Sequence, residues 1–61
     1  MSYLKIENNK IIEAPYMIEK NGKVIYGFNK NVDMMLADGY KFFEKQIIDY
    51  EIKNNEIVEK P

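Results

Sequence analysis

Apolar and polar residues alternate from Tyr3 to Glu7, with Leu4 and Ile6 on one face and Tyr3, Lys5 and Glu7 on the other, the period of two that marks a strand. Asn8 and Asn9 follow, and Asn tolerates the left-handed backbone that a two-residue hairpin turn needs at its central positions. Such a turn sets Ile6 opposite Ile11 and Glu7 opposite Lys10, so Leu4, Ile6 and Ile11 gather on one face while Ile12 falls on the other beside the Lys5 stem. Pro15 ends the second strand or lies on an edge, because it has no N–H for a ladder. A near copy of this stretch comes at the far end: Ile6 to Pro15 returns as Ile52 to Pro61. Again two Asn sit between Ile-rich runs, and Lys53 and Glu56 flank the turn with the charge order inverted.

The middle of the sequence holds a second hairpin and one helix. Asn21-Gly22, between Met17-Ile18-Glu19 and Val24-Ile25-Tyr26, is the strongest hairpin cue in the chain. A strict two-residue loop there sets Lys20 opposite Lys23, a like-charge pair costing a few tenths of a kcal/mol, so the register is less firmly specified than at the Asn-Asn turns. Gly27 to Asn31 breaks the strand pattern. Asn31, with Asn29 as the alternative, caps a helix from Val32 to Asp38 whose buried face carries Val32, Met35 and Leu36, and Asp33 sits in its first turn. Gly39 suits the left-handed position after the helix, with Tyr40 folding back on Met35. From Tyr40 onward two periods compete. Phe43, Ile47 and Tyr50 have helical spacing, whereas Ile48 to Lys53 alternates without fault; the aromatic and β-branched content favours strands, with a short helix from Tyr40 to Gln46 as the alternative.

These elements predict one small α+β domain spanning residues 1–61, built mainly of antiparallel β hairpins with one short helix packed on the sheet. The related end hairpins are expected to pair with each other within the chain, leaving an exposed edge for a partner. A chain of 61 residues has little interior, and domains this small usually gain support from disulfides, a metal or a second subunit. Without Cys or His, disulfides and the usual zinc ligands are absent, so association remains.

Composition narrows the chemistry further. The net charge of −1 provides no field for a polyanion or an anionic membrane, no apolar run is long enough for a membrane span, and the first residues lack a signal peptide's apolar core, so synthesis in the cytoplasm is expected. Arg, Thr and Trp are absent too, and the abundance of Lys, Asn, Ile, Tyr, Phe and Met points to an AT-rich genome. Ser2 is the one hydroxyl nucleophile besides Tyr, with no His to activate it, so no catalytic residue is assigned and the chain reads as a non-enzyme. The scattered Glu and Asp residues read as a solvated face. Asp33 and Asp38 lie apart around the helix, so neither a metal nor a cofactor is expected.

Aromatic residues carry the one binding signal. Tyr16, Tyr26, Phe28, Tyr40, Phe42 and Phe43 are many for so short a chain. Core packing is the plain explanation, and Tyr16, Tyr26, Tyr40 and Phe42 are the candidates for interface anchors. Stacking on single-stranded nucleic acid would also use such rings, but nine Lys are balanced by ten acidic residues along the whole chain, which argues against a nucleic-acid partner.

The strings from Ile6-Glu7-Asn8-Asn9 to Glu13-Ala14-Pro15, Asn21-Gly22-Lys23 with Ile25-Tyr26-Gly27-Phe28-Asn29, and Met35-Leu36-Ala37-Asp38-Gly39-Tyr40-Lys41 together resemble short uncharacterised proteins encoded by phages and prophages of AT-rich bacteria. The resemblance implies a structural or accessory role, association with a virion among the settings, and no catalytic residues. The expected function is a non-enzymatic protein–protein interaction module that binds itself or a phage or host protein. A small single-stranded nucleic-acid-binding protein and an inhibitor of a host enzyme are the alternatives.

Overall fold

The computed structural model describes residues 2–61. Its elements are β1 (Ser2–Glu7), β2 (Lys10–Glu13), β3 (Met17–Lys20), β4 (Lys23–Tyr26), a 3-10 turn (Phe28–Lys30), α1 (Val32–Ala37), β5 (Lys41–Phe43), a second 3-10 turn (Ile47–Asp49), β6 (Tyr50–Lys53) and β7 (Glu56–Glu59). The chain is therefore a small α+β fold of antiparallel hairpins with one short helix. All three hairpins close with two residues at positive φ, as a type I′ turn requires: Asn8 and Asn9, Asn21 and Gly22, and Asn54 and Asn55. The registers follow from those turns. Ile6 faces Ile11 and Glu7 faces Lys10, the second copy repeats this with Ile52 facing Ile57 and Lys53 facing Glu56, and Lys20 does stand opposite Lys23.

The strands do not form one sheet. They make a three-stranded sheet in the order β2-β1-β5 and two separate two-stranded ladders, β3-β4 and β6-β7. The end hairpins meet within the chain, but through side chains rather than a shared ladder: β7 lies against β1, and β6 with the preceding 3-10 turn lies against β2. Each end hairpin carries a facing Ile pair on one of its faces, and stacking two such faces removes more apolar surface from water than joining their edges. The first strand of one copy meets the second strand of the other in both directions, the exchange that a local two-fold axis produces.

Central strand β1 is consequently covered on both sides. Leu4 is fully buried on the side of the C-terminal hairpin, where Phe43 meets Tyr50 edge-on at 5.0 Å. On the opposite side Tyr3 and Ile12 pack on the main core of Ala14, Phe28, Met35 and Tyr40. Lys5 crosses the same side to the end of α1, its Nζ donating to the Asp38 carbonyl at 3.2 Å and to Asp38 Oδ2 at 3.3 Å while standing 4.7 Å from the centre of the Tyr40 ring. A cation there complements the negative end of the helix and the face of the ring together.

Helix α1 starts and stops where its sequence directs. Asn31 Oδ1 accepts from Met34 N–H at 3.1 Å, and Asp33 lies in the first turn. At the other end Gly39 N–H donates to Leu36 O at 3.1 Å and Tyr40 N–H to Met35 O at 3.0 Å, the paired bonds of a Schellman motif. The buried face is narrower than the periodicity predicts, because Met35 is buried with Met34 beside it while Val32 and Leu36 are exposed. A six-residue helix makes fewer than two turns, so it presents little more than one residue to the sheet. A second correction falls at Ile48 and Asp49, which lie in the 3-10 turn rather than in a strand. Asp49 Oδ2 accepts from Gln46 N–H at 3.1 Å and Asp49 N–H donates to Gln46 O at 2.9 Å, so local side-chain bonding outcompetes the ladder there. The segment Lys41–Phe43 is strand, not helix. Among the described residues no helix is long and apolar enough to cross a membrane.

Candidate functional site

The middle hairpin differs from the two outer ones in what covers it. Its cross-strand pairs put Ile18 and Ile25 on one face, and Met17, Tyr26, Glu19 and Val24 on the other. Ile18 turns inward onto the core. The outward face has no cover among the described residues: Met17 is 52% exposed, Val24 49% and Tyr26 68%, and Tyr16, one residue before β3, is 56% exposed. Tyr16 and Tyr26 stand together at the base of the hairpin with ring centroids 6.2 Å apart and planes inclined by 50°. Phe28 N–H donates to Tyr16 O at 2.9 Å just below them, which holds the base of the hairpin closed. Four large apolar side chains thus form one patch on a short, rigidly turned scaffold, with Glu19 beside them.

The four aromatic candidates part company. Tyr16 and Tyr26 lie in the patch. Phe42 is half-exposed on β5 and packs edge-on against its cross-strand neighbour Tyr3 at 5.5 Å, away from the hairpin. Tyr40 is withdrawn from the surface: only 4% exposed, it meets Phe28 edge-on at 5.7 Å and lies under Lys5, so its ring is a core group and not an interface anchor. The Schellman bend that turns the chain at Gly39 is what carries Tyr40 inward. Burial raises the pKa of its hydroxyl, the nearby Lys5 ammonium opposing that shift and Asp38 and Glu7 reinforcing it.

Met17 and Val24 belong to the patch and were not singled out from sequence. The two-residue Asn-Gly turn contained the signal, since its strict register places Met17 opposite Tyr26; the like-charged Lys20 and Lys23 pair obscured it. Those two lysines lie on the face opposite the patch, so the exposed aromatics share their face with a carboxylate rather than with cations.

Two clefts flank the three-stranded sheet. One of about 720 Å³ runs beside the C-terminal hairpin, lined by Leu4, Ile6, Phe43 and Ile57 with Lys41 and Glu56. The other, about 410 Å³, involves Ser2, Ala14, Met35 and Phe42. Glu13 also lines the second cleft, and Ser2 Oγ is buried there without a hydrogen-bond partner among the described residues. Among the described residues no three acidic, His or Cys side chains converge as metal ligands would. An exposed ion pair, Lys45 Nζ to Glu59 Oε1 at 2.8 Å, joins the segment after β5 to β7 and raises the Lys45 pKa through the hydrogen bond and charge of Glu59. Searches of protein-family models, curated proteins and solved structures return no match for this chain.

Proposed function

We propose that this chain is a non-enzymatic protein–protein interaction module that docks through the outward face of its middle hairpin. The observation that carries the reading is the contiguous exposure of Met17, Val24 and Tyr26 on one face of β3 and β4, with the exposed Tyr16 beside the Tyr26 ring at its base. Tyr is favoured at interface centres because it supplies a large, stiff contact area with a polar tip, and here two occur side by side with aliphatic neighbours. A single-stranded nucleic-acid partner fits this face poorly, since Glu19 lies within it and the nearest lysines point away. An accessory role in a phage or prophage is part of the proposal and rests on the sequence resemblance alone; a gene neighbourhood of head, tail or baseplate genes would support it, and a housekeeping operon would remove it.

The docking reading is tested by placing a photo-activatable cross-linker at position 24, on the face, or at position 53, on the C-terminal hairpin, in otherwise wild-type protein in cells. Cross-links to a defined protein from position 24 and none from position 53 are expected, and they should disappear in the Tyr16→Ser, Tyr26→Ser double variant while its far-UV spectrum is retained. Equal cross-linking from both positions would sink the assignment.

A further inference from the structure

We infer that the cleft beside β1 receives the C-terminal end of an extended segment of a partner protein, which adds a short antiparallel strand against Ile6. Unpaired backbone is the first argument. Along a strand in an antiparallel ladder, successive residues send their N–H and C=O to opposite edges. In β1 the odd-numbered residues turn toward β2, as the bond from Ala14 N–H to Tyr3 O at 2.9 Å and the two-residue turn after Glu7 both require. The even-numbered ones turn the other way, where Phe43 and Lys41 of β5 meet Ser2 and Leu4. Ile6 turns the same way and meets no strand, because β5 begins at Lys41. Counting back along that line puts Gly39 opposite Ile6, but a φ of 97° takes Gly39 out of line and its N–H is spent on Leu36 O. Ile6 therefore presents one donor and one acceptor with no hydrogen-bond partner among the described residues.

The cleft is the second argument, and together with Lys41 it selects the occupant. The cavity of about 720 Å³ opens along this length of β1, and its volume lies within the range of ligand pockets. Ile6 shares the side of β1 that carries Leu4, so a side chain paired with it would lie among Leu4, Phe43 and Ile57, which line the cleft. An extended chain supplies an N–H and a C=O to one edge and a side chain to one face at the same residue, which is how a peptide adds to an open strand. Direction follows from the count of free groups. In an antiparallel ladder both groups of Ile6 bond to one facing residue, whereas a parallel strand must seat two residues, one on either side of it. An antiparallel segment runs as β5 does, so its C-terminal end points at Lys41, about 7 Å further along the line, where β5 already occupies the edge. The segment ends there. Its terminal carboxylate accepts from Ile6 N–H within reach of the Lys41 ammonium, an exposed cation with no ion-pair partner among the described residues. Glu56 lines the cleft from β7, so an anion is favoured at Lys41 and disfavoured beside β7.

The site is separate from the middle-hairpin face, and its test is independent of cross-linking from position 24. Isotope-labelled full chain would be titrated, with amide resonances followed by NMR, against acetylated peptides of sequence Gly-Ser-Gly-Thr followed by Val, Leu or Phe, each with a free carboxylate. Peptide up to about 2 mM registers a millimolar Kd. The Ile6 amide should move most, and its hydrogen exchange should slow about tenfold on binding. Amidating the peptide's C-terminus should weaken binding about tenfold by removing the charge, and methylating its last amide nitrogen about tenfold by removing the donor to Ile6 O. Lys41→Gln should weaken the free-carboxylate peptides about tenfold and leave the amidated ones unchanged, since variant and amide remove two halves of one contact. Both peptide changes leave the protein untouched, so the result does not depend on how a variant folds. No binding by any of the peptides, shifts centred away from Ile6, or equal binding of the free and amidated forms would overturn the inference.

Discussion

Gly39 is the position where the fold is most exposed to a single methyl group. It is C′ of the Schellman motif, with φ of 97°, and its N–H and the next one close the end of α1 at 3.1 and 3.0 Å. In the Gly39→Ala variant the added Cβ would meet Lys5 Cδ at 3.8 Å, an ordinary contact, so steric overlap contributes nothing and the cost is that of holding an L-residue at positive φ. That cost is roughly 1–2 kcal/mol. A 61-residue domain has about 3–9 kcal/mol of total stability, so the change removes a large share of it and should lower Tm by roughly 5–15 °C. The consequence reaches beyond the helix, because Tyr40, swung inward by this bend, supports Phe28 and Lys5 together. Urea unfolding followed by far-UV circular dichroism is the assay, with Gly39→Asn as the companion variant. Asn tolerates left-handed backbone better than Ala, so the order of stability should run Gly, Asn, Ala with the urea m-value unchanged. An Ala variant within about 0.5 kcal/mol of wild type, the scatter of ordinary surface substitutions, or one more stable than the Asn variant, would refute the reasoning.

Three further outcomes follow from the same geometry. Asn54→Ala should cost about 1 kcal/mol in urea unfolding and Asn8→Ala a similar amount, since both side chains relieve the same positive φ, whereas Asn29→Ala should cost less than half as much. Lys23→Glu replaces the like-charged cross-strand pair with an opposite one and should raise stability by a few tenths of a kcal/mol at low salt, an increment that 1 M NaCl should abolish. Burial raises the Tyr40 pKa in the folded chain above its value of 10.0 in the unfolded chain, so the neutral hydroxyl is the form the fold prefers. Its contribution is fully present below pH 10 and declines as pH climbs from there through the raised folded value, because the unfolded chain releases its proton first. Tyr40→Phe should reduce the alkaline loss of stability in pH-dependent thermal melts, and a wild-type slope above pH 10 matched by the variant would refute the assignment.

Much of the local structure was legible because it depends on neighbours in sequence. Three two-residue turns, their registers, the Asn31 cap and the Gly39 stop each follow from a backbone preference confined to a few residues, and each occurs as those preferences direct. The site was legible in part. Tyr16 and Tyr26 were marked by composition, but an aromatic side chain looks the same in sequence whether it lies in a core or on a face, and Tyr40 and Phe28 went to the core. Ile48 and Asp49 alternated like a strand and yet formed a turn, because the Asp49 carboxylate found the Gln46 N–H before any partner strand was in reach.

The repeated hairpin shows where the division lies. By itself the sequence determined that Ile6 to Pro15 and Ile52 to Pro61 would each close on an Asn-Asn turn with Ile facing Ile, since both the left-handed turn and the two-residue period act within ten residues. Tertiary structure alone decided that the copies stack face to face around Leu4 instead of joining edge to edge, and that β3 and β4 keep an uncovered outer face. The physical reason is that burial is a property of the whole assembly: a chain this short has two apolar hairpin faces and one helix to cover β1, and nothing left over for Tyr16, Met17, Val24 and Tyr26.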